Sequence, residues 1–251
     1  MKTAFITGAT SGFGRAIAFR FAALGYNLIV TGRREERLNK LMGELHSEFS
    51  IEILPLCFDV RDNEACKKAF LSLPEFFGHI DILVNNAGLA AGASPFQESD
   101  LADYEQMIDT NVKGLLYITK LIVPGMIEQQ SGHIVNISSI AGIEVYPNGS
   151  VYCASKHAVN AITKGLRIDL IKHGIKVSSV SPGMAETEFS IVRYHGDAEK
   201  AKAVYSGLTP LSADDIADAV EYIVTRPDHV SINDIQINPT QQANTYIAHR
   251  K

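Results

Sequence analysis

Short apolar runs alternate with stretches of helical periodicity along this whole 251-residue chain, and no other feature limits its possible folds so sharply. Lys2–Thr7, Asn27–Thr31, Ile51–Val60, Ile82–Val84, His133–Ser139, Lys176–Ser181 and Ile232–Asn238 are predicted strands. Between them apolar residues recur at helical steps: Phe13, Ile17, Phe21 and Leu24 before a closing Gly25, then Leu38, Leu41, Met42 and Leu45. Further helices are predicted from Asp62, a capping residue, to Leu73, and over Leu101–Glu128, Ser150–His173 and Ser212–Thr225. Pro124 is expected to kink or end the long helix that contains it. Strands separated by such helices pair in parallel through crossovers and are buried on both faces. With no linker, repeat or composition break, the prediction is one α/β domain over residues 1–251. It is a doubly wound Rossmann sheet of about seven parallel strands with helices on both faces. Residues 186–207 fit no strand and read as a helical insertion, a lid over the carboxyl end of the sheet.

Charge and cysteine content remove several function classes. Lys and Arg total 23 against 28 Asp and Glu, so no basic excess exists for a nucleic-acid backbone. No apolar stretch reaches the ~18 residues that span a bilayer, and the N-terminal apolar run is too short for a secretory signal. Cys57, Cys66 and Cys153 stand at no metal-ligand spacing, and neither do the eight histidines. No metal is expected, and reduced thiols suit a cytoplasmic protein.

The turn Thr7-Gly8-Ala9-Thr10-Ser11-Gly12-Phe13-Gly14 joins the first strand to the first helix. Gly8 suits a tight turn, Gly12 removes a Cβ where backbone would approach a pyrophosphate, and Gly14 permits close packing of helix on sheet. The helix N-terminus offers free N–H groups to phosphates. An acidic residue ending strand two would bind the ribose 2′-OH of NAD, but the chain has Thr31-Gly32-Arg33-Arg34. Two guanidinium forks match a phosphate dianion, which points to NADP. The plainer alternative leaves Arg33 and Arg34 solvated and paired with Glu35 or Glu36.

Tyr152 and Lys156 stand one helical turn apart, so their side chains share a face. A phenol with pKa near ~10 is a poor base at neutral pH, and a neighbouring ammonium together with a bound nicotinamide cation would favour its ionised form. Ser139 ends strand five, thirteen residues before Tyr152, where a hydroxyl can hold a carbonyl or alcohol oxygen. Asn111 interrupts an apolar helix face, so a water or a backbone partner is expected for it. Asn85-Asn86-Ala87-Gly88 closes strand four at the same sheet edge.

Together these residues resemble the short-chain dehydrogenase/reductase family. The matching elements are the glycine turn, Asp59-Val60, Asn85 to Gly88, Asn111, Ser139, Tyr152-x-x-x-Lys156 and Pro182-Gly183, in family order. The resemblance implies that Tyr152 is the acid/base, that Lys156 holds the nicotinamide ribose and lowers the Tyr152 pKa, and that Ser139 orients the substrate. It further implies that Asn111 carries a relay water, Asp59 and Val60 meet adenine, Asn86 approaches the adenosine ribose, and Thr187 reaches the carboxamide beyond Pro182-Gly183. The residue before Gly12 is Ser11, not the basic residue common in NADP-using members, which leaves the 2′-phosphate to Arg33 and Arg34. Thr187 to Tyr194, Thr31 to Leu38 and the His249-Arg250 end are similar to NADP-dependent 3-hydroxy acid dehydrogenases, including those acting on serine and allo-threonine.

The expected activity is therefore NADP(H)-linked oxidation or reduction at C3 of a short 3-hydroxy acid. Arg193 in the lid is the candidate carboxylate handle, with solvated pairing to Glu188 or Asp197 as its bland alternative. A general carbonyl or hydroxysteroid reductase would need an apolar lid instead. A silent dinucleotide sensor would lack Tyr152 or Lys156, and both are present. The apolar surplus of the two long helices, with the resemblance, leads to a homotetramer, or failing that a dimer.

Overall fold

Alternation along each strand decides which core layer a side chain joins. The structure, a computed structural model, describes residues 1–251. Its strands are β1 (Thr3–Ile6), β2 (Asn27–Gly32), β3 (Ile53–Cys57), β4 (Ile82–Asn85), β5 (Gly132–Ile137), β6 (Ile175–Pro182) and β7 (Asp234–Ile237). All neighbours pair in parallel in the order β3-β2-β1-β4-β5-β6-β7. The helices are α1 (Gly12–Ala23), α2 (Glu35–Glu48), α3 (Asn63–Leu71), α4 (Leu101–Ile108), α5 (Leu115–Gln129), α6 (Ser150–Leu170), α7 (Phe189–Arg193), α8 (Ala198–Ala203) and α9 (Ala213–Val224).

In β1, Ala4 and Ile6 join one core layer with Ile17 and Phe21 of α1, Leu38 and Leu41 of α2, and Val220 and Ile223 of α9. Phe5 between them points the other way, into a layer with Ile118, Ile122 and Met126 of α5 and Leu170 of α6. Both sheet faces are thus covered, the condition for an all-parallel sheet. The doubly wound α/β domain with seven parallel strands is as predicted.

Asp62 caps α3 by accepting from Glu64 N and Ala65 N, as its residue type suggested. Three local expectations need correction. Leu101–Glu128 is not one α-helix: a π-helical segment, Asp109–Gly114, separates α4 from α5. Pro124 does not end α5, which runs on to Gln129 and stops at left-handed Gln130. A mid-helix proline costs roughly 3 kcal/mol, and burial of Ile118, Ile122 and Met126 on the sheet outweighs that. The third strand is shorter than Ile51–Val60, because Phe58 to Val60 leave the sheet and enter the cleft wall. The helix from Ser150 runs to His173 as expected, α-helical to Leu170 and then a single 3-10 turn, Ile171–His173, before left-handed Gly174. Residues 186–207 contain α7 and α8, anchored where Ala185 bridges Leu211.

Beside β1 the chain order runs outward in both directions, to β2 and to β4. That reversal leaves a crevice beyond the carboxyl ends of β1 and β4, the place where such sheets bind ligands. No helix is long and apolar enough to cross a membrane, and no cluster of three His, Cys, Asp or Glu side chains could hold a metal ion.

Candidate active site

The crevice is a cleft of about 600 Å³ that runs from Arg33 and Arg34 at one end to Tyr152 and Arg193 at the other. At its floor lies the glycine turn. Gly8 (φ 68°) and Gly12 (φ 52°) adopt left-handed backbone, which a side chain would strain. A Cβ at Gly8 would also stand 2.9 Å from Ala87 Cα. Gly14 faces not the sheet but Asn86 Nδ2 and the Gly8 carbonyl. Asn86, expected near the adenosine ribose, lines the cleft and donates to the carbonyls of Thr7 (2.9 Å) and Gly8 (3.0 Å). It braces the loop that any pyrophosphate would rest on.

Arginines gather at the far end of the floor. Arg34 donates to Thr10 Oγ1 and Ser11 Oγ, both at 3.0 Å, and to Glu188 at 3.0 Å. Arg37, one turn further along α2, reaches the same Glu188 at 2.6 and 2.8 Å. Arg33 lies 3.6 Å from Asp59, whose carboxylate Arg61 holds through three hydrogen bonds of 2.7–3.1 Å. Burial alone would push Asp59 up, but Arg61 and Arg33 hold it below the usual carboxylate range. Neither Arg33 nor Arg34 pairs with Glu35 or Glu36; four guanidiniums face two carboxylates. The surplus of two positive charges suits a phosphate dianion. With backbone free of side chains at Gly12 and this charge corner beside it, the residues fit a dinucleotide carrying a 2′-phosphate.

Tyr152 and Lys156 leave the first turns of α6 and are buried. Lys156 Nζ donates to the Ile137 carbonyl at 2.9 Å and stands 6.0 Å from the Tyr152 ring centre. Burial lowers its pKa to about 8. Among the protein's own groups, burial, then the nearby Tyr146 phenol, push the Tyr152 pKa above its usual range, against the pull of Ser139 and Arg193; the lowering expected from sequence also draws on the positive charge of a bound nicotinamide. Its phenol is protonated at neutral pH. Ser139 accepts from Ala141 N (3.1 Å) and donates to the Pro182 carbonyl (3.4 Å). Its neighbour Ser138 has a buried hydroxyl with no partner.

Asn111 sits in the π-helical segment, a distortion frequent at functional sites. Its Oδ1 accepts from Leu89 N, and its Nδ2 donates to Leu89 O and Ser155 Oγ. It thereby ties the loop after β4 to α6, through the backbone partner expected for it. Gly88 fits between Asn111 Oδ1 and Lys156 Nζ, at 3.2 and 3.4 Å from where a Cβ would be. Phe13, Val60, Gly183 and Thr187 line the same cleft, with Thr187 Cβ 3.3 Å from the corresponding point on Gly12.

Residues 186–207 cross the cleft. Arg193 pairs with neither Glu188 nor Asp197. Its Nε donates to the Gly92 carbonyl (3.3 Å), one Nη to the Tyr146 hydroxyl (3.1 Å), and its guanidinium lies 5.5 Å from the Tyr146 ring centre. Phe189 packs edge-on against Tyr152. Tyr146, Arg37 and Gln242 were not anticipated from sequence. Gln242 Oε1 accepts from Met184 N at 2.7 Å, supporting the strand end that carries Pro182-Gly183. Tyr146 had one faint signal, its place six residues before Tyr152; Gln242 had none.

Comparison with known proteins agrees with this arrangement. The short chain dehydrogenase family profile matches residues 2–197. Sulfoacetaldehyde reductase 2 of Chromohalobacter salexigens is 49% identical, over 95% of this chain and 94% of its own. The NADP-dependent 3-hydroxy acid dehydrogenase YdfG of Salmonella typhimurium is 45% identical, over 95% of each chain. A serine dehydrogenase solved in its closed form, complexed with NADP+, superposes with a TM-score of 0.93 at 42% identity, covering 99% of this chain and all of that one. The chain belongs to the short-chain dehydrogenase family.

Proposed function

We propose that this short-chain dehydrogenase is a cytoplasmic, NADP(H)-dependent enzyme that interconverts a short 3-hydroxy acid and its 3-oxo form. Arg33 and Arg34 receive the 2′-phosphate, and the helix N-terminus behind Gly12 faces the pyrophosphate. Asp59 and Val60 border the adenine, and Lys156 takes the nicotinamide ribose. Bound NADPH supplies the hydride, and NADP+ accepts it in the reverse direction. Ser139 holds the substrate oxygen. In reduction Tyr152 gives its phenolic proton to that oxygen, and in oxidation it takes the proton back. Asn111 has both amide hydrogens engaged, so a relay water would sit on its remaining acceptor positions.

The observation that carries the substrate class is Arg193. It is held by Gly92 and Tyr146 above the end of the cleft where Tyr152 lies, not out in solvent with an acidic partner. A small substrate has little surface, so an anionic group is its natural handle, and a guanidinium in a water-poor cleft binds it strongly. An apolar lid, as a hydroxysteroid reductase would need, is absent at this position. A second reading keeps the same handle: the 49%-identical relative is named for sulfoacetaldehyde, a short aldehyde whose anion is a sulfonate.

Steady-state kinetics with 3-hydroxy acids and NADP+ test this, alongside reduction of sulfoacetaldehyde and of a neutral aldehyde with NADPH. Arg193→Met should raise KM for the anionic substrate at least ~30-fold, roughly 2 kcal/mol, and leave the neutral one nearly unchanged. Equal damage to both would make Arg193 a lid strut, and no damage to either would place the handle elsewhere.

A further inference from the structure

The lid is pinned at both ends of the cleft by different chemistry. At the substrate end Arg193 and His195 tie it to Gly92, Tyr146 and Asp103. At the adenosine end the ties run through one side chain, Glu188, which lies immediately before α7. Its carboxylate takes Arg37 at 2.6 and 2.8 Å and Arg34 at 3.0 Å, partners more than 150 residues away in sequence.

Exposed single ion pairs contribute little, because two long side chains must be immobilised against salt-screened attraction. This one differs in construction. Arg34 is already fixed by the Thr10 and Ser11 hydroxyls of the glycine turn. Arg37 stands on the same face of the chain one turn later, so the two forks converge on one acceptor. Burial tends to raise the Glu188 pKa, yet Arg37 and Arg34 bring it below the usual range, so the carboxylate is ionised throughout the neutral region. The glycine turn, α2 and the lid meet at this single point, and the adenosine end of the cleft lies beneath it.

We propose that Glu188 is a latch: paired with Arg37 and Arg34, it holds the lid over the adenosine end of the bound dinucleotide and so sets how fast the cofactor leaves. The latch acts as a positioning residue and takes no part in hydride or proton transfer. It rests on the cofactor reading above but not on the identity of the substrate.

Stopped-flow fluorescence tests it, with NADPH release from the preformed complex started by excess NADP+. A prior NADPH titration of the wild type separates the two readings, since failure to bind would overturn the cofactor assignment itself. With binding in place, Glu188→Gln should speed release about tenfold and change association less than about threefold. Arg37→Gln should do the same, and the double variant should release no faster than either single one, because the pair acts as a unit. Trypsin cleavage at Lys200 and Lys202 of the NADPH complex should accelerate in parallel as the lid opens more often. Unchanged release in Glu188→Gln overturns the latch. Slower release also overturns it, because Glu188 would then be repelling the 2′-phosphate. So does full multiplication of the two single effects.

Discussion

Arg33 and Arg34 are adjacent in sequence but differ in what else they hold, and that difference is measurable. Arg33 has one neighbouring charge, Asp59 at 3.6 Å, and no hydrogen bond to the glycine turn or the lid. Arg34 bonds Thr10, Ser11 and Glu188. A hydrogen bond to a charged group contributes roughly 1.5–3 kcal/mol, and Arg33 is half exposed, so about 2 kcal/mol is the fair figure for its phosphate contact. That is roughly 30-fold in kcat/KM at ~1.4 kcal/mol per decade. Arg33→Ala should therefore lower kcat/KM for NADP about 30-fold and that for NAD less than about threefold. Arg34→Ala should lose as much with NADP and also several-fold with NAD, since the turn and lid it braces serve either cofactor. The wild type should favour NADP by at least about tenfold. The assay is nicotinamide absorbance with each cofactor at one fixed substrate concentration. Equal losses with both cofactors in Arg33→Ala, or no preference in the wild type, would refute the assignment.

Tyr152→Phe should lose at least ~100-fold in turnover yet bind NADPH normally, whereas Lys156→Ala should lose both; a half-active Tyr152→Phe would end the acid/base assignment. Reduction should be independent of pH through neutrality and fall above about 8, where Lys156 loses its charge, and a profile flat to pH 10 would contradict that. His133 is buried against Ser178, and burial, then Lys176 and Lys2, lower its pKa to about 3. The unfolded chain therefore binds this proton below about 6.5 while the folded chain does not. Its stability contribution is complete above that value and is lost as pH falls from about 6.5 towards 3. The loss is at most roughly 4–5 kcal/mol, and urea titrations of His133→Gln should show a flatter acid limb. Leu116 on α5, Ile168 near the end of α6 and Ile171 in the 3-10 turn after it are exposed in the single chain, apolar surface that the homotetramer expected from sequence would cover. Light scattering that finds one species of 27.4 kDa at micromolar concentration would exclude both tetramer and dimer.

The strand-and-helix frame was legible because its signals are local. Ala4, Phe5 and Ile6 announce a strand buried on both faces, and Phe13 to Leu24 a helix, without reference to anything distant. The π-helical segment was not legible, because its six residues, Asp109–Gly114, carry no breaking residue besides a final glycine. What distinguishes it is tertiary: Asn111 must reach Leu89 and Ser155 at once, from 22 and 44 residues away. Pro124 misled in the opposite direction. Its local penalty is real, but Pro124 is exposed, and the apolar face on the other side of the helix, Ile118, Ile122 and Met126, is fixed by the sheet beneath.

The site divides along the same line, with a consequence for how its chemistry is read. Residues recognised by type, such as Ser139, Tyr152 and Lys156, stand where the pattern placed them, but their electrostatics depend on neighbours the pattern did not contain. Reading Tyr152 beside the Lys156 ammonium and a bound nicotinamide cation gives a lowered phenol pKa. In the folded chain the phenol is enclosed by Phe189 from the lid, Tyr146 lies near it, and the Lys156 ammonium is turned to the Ile137 carbonyl. Desolvation then outweighs attraction, and Tyr152 is held as an acid. A protonated phenol beside the place for a substrate oxygen is the form that carbonyl reduction consumes. In alcohol oxidation the positive charge of bound NADP+ would add its own pull toward the ionised phenol.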